Sequence, residues 1–260
     1  MVKVVKGKQK LGVSGVSLVI FEGGSSKDPV EQMVSSIRKA VVLDNIKKFS
    51  NVQGLDRILL CTSYRDLAEA ATSYGVETVL TCNTGRFHFG SALAQVIKDH
   101  CLEAVIYMGG ASGALMAPSE INLIVKELAV SKCVMLANNI FSSDIVGFKP
   151  ASALLKVNAL PEFDNTLAMA LSFLGQKKIP ETIGSLFDID TPADIAVLRL
   201  HPSIGPHVRA AFEALDLGPV DILLKKTRHL IGTPLSEICV IGRVSPSAVL
   251  YVNKRRQCRM

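Results

Sequence analysis

Apolar residues recur along this chain in two periods. Short apolar-rich stretches at residues 16–21, 57–62, 76–81, 104–108 and 134–137 have the length and β-former content of buried strands. Between them, residues 30–49, 64–74 and 90–100 carry apolar side chains at helical spacing, with Val34, Ile37, Val41, Ile46 and Phe49 as the inward set of the first. Gly75 stands where a helix end needs a left-handed residue. After residues 104–108 the pattern breaks into Gly109, Gly110, Ala111, Ser112, Gly113 and Ala114. Pro118 then opens a helix with Ile121, Ile124, Val125 and Leu128 on one face. This strand, glycine elbow and helix form the expected floor of a site, because ligands of open α/β sheets bind beyond the carboxyl ends of the strands.

Strand and helix alternate every 20 to 30 residues or so, which predicts a three-layer α/β domain with a mostly parallel sheet. Residues 145–148 are expected to be a short strand of different direction. A short strand ending at Ile189 is expected to deliver Asp188 and Asp190 to the carboxyl edge of the sheet. Asp164 is expected to cap a helix over 167–174. From residue 201 onward Pro and Gly divide the chain into short helices near 203–216 and 220–230, an apolar run at 238–241 and a last turn near 246–252. The expected organisation is a basic lead at 1–14, an α/β domain at 15–200 and a small helical C-terminal appendage at 201–260.

Composition narrows the class. Of 260 residues 48% are hydrophobic and 20% charged, which suits a globular protein with a substantial core. No run of about 18 apolar residues could span a bilayer, and the start lacks the apolar block of a signal peptide, so a cytoplasmic protein with no membrane partner is expected. The six cysteines are scattered, without the spacing of a zinc or redox pair. The net charge of +6 leans on the two ends, with Lys3, Lys6, Lys8 and Lys10 at one and Lys254, Arg255, Arg256 and Arg259 at the other. With no Trp and four Tyr, a stacking platform is lacking and nucleic acid is not an expected partner. A homo-oligomer is an open expectation.

Two stretches carry candidate chemistry. Gly23, Gly24, Ser25, Ser26 and Lys27 follow the first strand, where backbone N–H groups, hydroxyls and a lysine can cradle phosphates, although the spacing is not that of a Walker loop. Asp188 and Asp190 precede Thr191, Pro192 and Asp194, whose order is that of a helix cap; the two extra carboxylates suit either a divalent cation or a solvated turn. Arg86 and His88 face either solvent or the cleft, and His88, beside two Phe, is expected to be a packed residue.

The glycine loop at 23–27, the stretch 110–120 and the sequence 187–195 (FDIDTPADI) stand in an order that resembles the nucleotidyltransferases of the nucleotide-diphosphosugar-transferase fold, the group that includes molybdenum-cofactor and phospholactate nucleotidyltransferases. The resemblance implies that Gly23, Gly24, Ser25, Ser26 and Lys27 contact a nucleoside triphosphate, GTP or CTP. It implies that Gly90 and Ser91 lie near the base, and that Gly110 and Ser112 line the site. Lys27 and Asp190 are the implied catalytic residues, with Asp190 and Asp188 holding Mg²⁺. The implied reaction transfers a nucleotidyl group to a small phosphorylated or cofactor acceptor. The elbow departs from the family, for Ser112 stands where its metal-binding Asp is usual, so Asp188 or Asp144 would have to substitute. The alternative is a degenerate member that binds a nucleotide or a protein without turnover.

Overall fold

The computed structural model describes residues 4–5, 15–24, 28–81, 86–241 and 246–255, which leaves Ser25, Ser26 and Lys27 outside the described residues. Its strands are β1 Val4–Val5, β2 Val16–Glu22, β3 Leu55–Thr62, β4 Glu77–Leu80, β5 Ala104–Gly109, β6 Val134–Ala137, β7 Ile145–Lys149 and β8 Gln176–Lys178. The main helices are α1 Pro29–Phe49, α2 Arg65–Thr72, α3 Phe89–Asp99 and α4 Pro118–Val130, followed by single-turn α5 Leu167–Ala170 and α6 Ile183–Leu186. Then come α7 Pro192–Arg199, α8 Pro206–Glu213, α9 Pro219–Gly232 and α10 Pro246–Arg255.

The strands form one sheet in the order β1-β4-β3-β2-β5-β7-β6-β8. β4, β3, β2 and β5 are mutually parallel, and β7 runs against both β5 and β6. The expected change of direction at β7 is therefore present, in an otherwise mostly parallel sheet.

Both faces of the central strands are covered, and their side chains alternate between two cores as a pleat requires. Leu18, Ile20, Leu60, Ile106 and Met108 pack with α1, α2 and α4. Val19, Leu59, Cys61, Val105 and Tyr107 pack with α3 and the segment 151–171 on the other side. Helix α1 has a third apolar edge, Val34, Ile37 and Val41, buried with Ile189 and Ile195 and with Val208 and Phe212 of α8. A core thus joins α1 to residues on both sides of position 200.

Two local expectations are corrected. No strand ends at Ile189: residues 183–186 form α6, because Thr182 and Ser185 cap each other, each backbone N–H donating to the other's hydroxyl at 3.0 Å. Asp164 caps no α-helix; it begins a 3₁₀ turn, and the α-helix that follows is one turn long. Thr191, Pro192 and Asp194 do open α7 as the sequence indicates.

Candidate functional site

The carboxyl end of β2 organises the site. Glu22, the last residue of this mostly apolar strand, is buried, and Arg38 from the third turn of α1 donates to its Oε2 through Nε at 3.0 Å and Nη2 at 2.9 Å. Burial still raises the Glu22 pKa above the usual carboxylate value, with Arg38 opposing it. The glycine elbow after β5 crosses directly over this pair. Gly110 donates its N–H to the Phe21 carbonyl at 2.9 Å, and a Cβ there would stand 2.0 Å from Glu22 Oε2, so only glycine fits. Asp28 starts α1 by accepting from the N–H groups of Val30 and Glu31 at 2.8 and 3.2 Å.

Two lobes of one cleft meet at Glu22, Gly23, Gly24 and Arg38. The first, about 860 Å³, lies between the opening turns of α1, Tyr64 and Asp66 on one side and Asp190, Thr191 and Pro192 on the other. Lys39 projects into it, held 3.9 Å over the Tyr64 ring and paired with Asp66 at 2.9 Å.

The second lobe, about 530 Å³, lies over the strand ends and is lined by aromatic rings. Phe21 meets Phe89 edge-on at 5.6 Å and Tyr107 at 6.0 Å, while Phe87 stands 6.3 Å from Phe21 and is exposed. Below them the Tyr107 hydroxyl donates to Asp164 Oδ2 at 2.6 Å. Burial, then the neighbouring Asp164 charge, pushes the Tyr107 phenol well above its usual value, so it remains a neutral donor. An Arg86–Glu162 ion pair at 2.5 Å forms the rim.

The elbow's Ser112 does not reach this cleft. It is 2% exposed, and its hydroxyl has no hydrogen-bond partner. α1 holds its backbone: Asn45 Nδ2 donates to the Ser112 carbonyl at 2.9 Å and Lys48 Nζ to the Gly113 carbonyl at 2.7 Å. Desolvation lowers the Lys48 pKa to about 8, against the opposing pull of Asp44 and Glu120.

The acidic residues were the expected metal ligands. The Asp144 pKa is raised to about 6, first by burial and then by Asp188, and that of Asp188 is raised by burial and by Asp190. These carboxylates repel one another, but among the described residues no three His, Cys, Asp or Glu side chains gather closely enough to hold a metal ion. With a neutral, buried serine at the elbow, the residues present do not fit a preformed Mg²⁺ site, and no chemical step is assigned to a metal here.

Of the sequence-derived candidates, Gly23, Gly24 and Asp190 face the same cleft. Ser25, Ser26 and Lys27 lie outside the described residues, between Gly24 and Asp28. Gly110 supports the cleft from beneath. Gly90 is packed against Pro161, to whose carbonyl it donates at 2.8 Å, and Ser91 lines a different groove together with His88 and Lys98. His88 is exposed rather than packed, and its Nδ1 caps α3 by accepting from the Ser91 N–H at 3.3 Å.

Sequence reasoning missed Arg38, Tyr107 and Asp164. A signal existed for Arg38, since a carboxylate such as Glu22 at the end of a buried strand requires a cation partner.

The strand order, the antiparallel β7 and a cleft at the carboxyl ends of the parallel strands define a nucleotide-diphosphosugar-transferase fold. Among solved structures the chain is similar to a cytidylyltransferase from Leptospira borgpetersenii serovar Hardjo-bovis, at 12% identity and a TM-score of 0.55, over 83% of this chain and 95% of that one. It is likewise similar to a candidate nucleotide-diphospho-sugar transferase from Desulfovibrio desulfuricans G20, at 13% identity and a TM-score of 0.52, over 84% and 96% of the two chains. No protein-family profile and no curated protein sequence matches it.

Proposed function

We propose that this protein is a nucleotidyltransferase-like protein that binds a nucleoside triphosphate across the two-lobed cleft. In this reading the base packs in the aromatic lobe beside Phe21, Phe87 and Phe89, and the phosphates run past Gly23 and Gly24, with Ser25, Ser26 and Lys27 next in sequence. Arg38 and Lys39, paired with Glu22 and Asp66 in the free protein, are the cations beside that path, and the larger lobe toward Asp190 accepts a small acceptor. The acceptor oxygen attacks the α-phosphorus, the bond between that phosphorus and the α–β bridging oxygen breaks, and pyrophosphate leaves. Such chemistry relies on alignment and charge neutralisation more than on covalent participation by the protein.

The observation that carries the proposal is the junction, at the carboxyl end of β2, of an aromatic lobe with a glycine-lined one that holds Arg38 and Lys39. The fold supports it, since the similar Leptospira protein is described as a cytidylyltransferase. The buried Ser112 favours a second reading, in which the nucleotide is bound but not turned over.

Calorimetric titration with CTP and GTP, with and without Mg²⁺, tests both. Binding that requires Mg²⁺, together with pyrophosphate release from a panel of phosphorylated acceptors, supports transfer; metal-independent binding supports the second reading. No binding of either nucleotide removes both.

A further inference from the structure

Helix α9 is at odds with the rest of the molecule. It is fourteen residues long, joined to α7 through an Arg199–Asp221 ion pair at 3.0 Å, and it buries none of its side chains. Its pattern is nonetheless that of an amphipathic helix. Val220, Leu223, Leu224, Leu230 and Ile231 share one face around Thr227, with Lys225, His229 and the exposed Ile222 on the opposite side and Lys226 and Arg228 on the flanks. On the apolar face Val220, Leu223 and Leu230 are 43%, 61% and 53% exposed. The chain beyond adds further uncovered apolar side chains, with Leu235 in a turn, Ile241 after it, and Leu250 and Tyr251 on α10.

Charge indicates what covers this face. Residues 219–260 hold eight Lys or Arg against two Asp or Glu, so the whole net charge of +6 resides there and residues 1–218 are neutral overall. A second copy of the chain, docked about a twofold axis, would set this cationic segment against itself. A nucleic acid would pair with the cations but leave the leucines in water. An anionic lipid surface satisfies both features, because apolar side chains enter the acyl boundary while flanking Lys and Arg reach the headgroups. No helix among the described residues is long and apolar enough to cross a membrane, and none is needed for a helix that lies in the interface.

We infer that α9, with its flanking Lys and Arg, docks this protein onto anionic lipid bilayers. The inference does not depend on the nucleotide reading. The test is sedimentation of the full chain with vesicles of phosphatidylcholine alone, or of phosphatidylcholine containing about one third phosphatidylglycerol. The expected result is binding to the anionic vesicles only, weakened by salt. Leu223→Asp should abolish it, and Lys225→Gln with Lys226→Gln should weaken it on the order of tenfold or more. All three positions are exposed, and unchanged thermal melts of the variants will show that folding is intact. Equal binding to neutral and anionic vesicles, binding to neither, or a Leu223-dependent dimer without vesicle binding would each overturn it.

Discussion

At the scale of single residues, the site rests on charges held at the limit of what burial allows. Glu22 and Arg38 are joined directly beneath Gly110, so Gly110→Ala should force the pair apart and cost about 1–3 kcal/mol of stability, read from urea denaturation midpoints. Tyr107→Phe removes the hydrogen bond to the Asp164 carboxylate, with an expected loss of about 1.5–3 kcal/mol in the same assay. Asp144 and Asp188 act in the opposite sense. Their folded-state pKa values lie above those of the unfolded chain, so the native state binds more protons, and stability falls as pH rises from about 4 through about 6. Asp144→Asn should flatten that fall and leave the protein more stable at neutral pH, a change visible in melting temperatures across that window. These residues were hard to find in the sequence for a simple reason. Tyr107 and Asp164 are 57 positions apart, and only folding brings them together.

At the scale of elements, legibility followed the source of each element's stability. The central strands and α1 through α4 are specified by their own apolar periods, and those periods could be read directly. β8 could not, since Gln176, Lys177 and Lys178 are all exposed and form a strand only by pairing with β6. α6 was mistaken for a strand because reciprocal capping by Thr182 and Ser185 outweighs a short apolar run. α8 shows the same dependence on distant partners. Its N-cap is Gly205, which has no capping side chain, and the missing acceptor comes from α1: Asp44 takes the N–H groups of His207 and Val208 at 3.1 and 3.0 Å and the His207 ring at 2.8 Å. Asp44→Ala should therefore loosen α8 specifically, with a loss of about 2 kcal/mol. Hydrogen exchange should show faster exchange over residues 206–213 while the central strands stay protected.

At the scale of the whole molecule, the parallel strands point their carboxyl ends at one cleft, and two sequence-distant motifs meet there. Gly23 and Gly24 end one side of it and Asp190 the other, an arrangement legible in the sequence because each follows a recognisable break between elements. The aromatic lobe was not legible, as Phe21 and Phe89 stand 68 positions apart and meet only where folding sets the strand ends beside α3. The central claim is that this shared cleft is a nucleotide site. A crystal structure of the protein soaked with CTP or GTP tests it most directly. The account predicts a base among Phe21, Phe87 and Phe89 and phosphates passing Gly23 and Gly24 toward Asp190; a nucleotide bound elsewhere, or an empty cleft at saturating nucleotide, would contradict it.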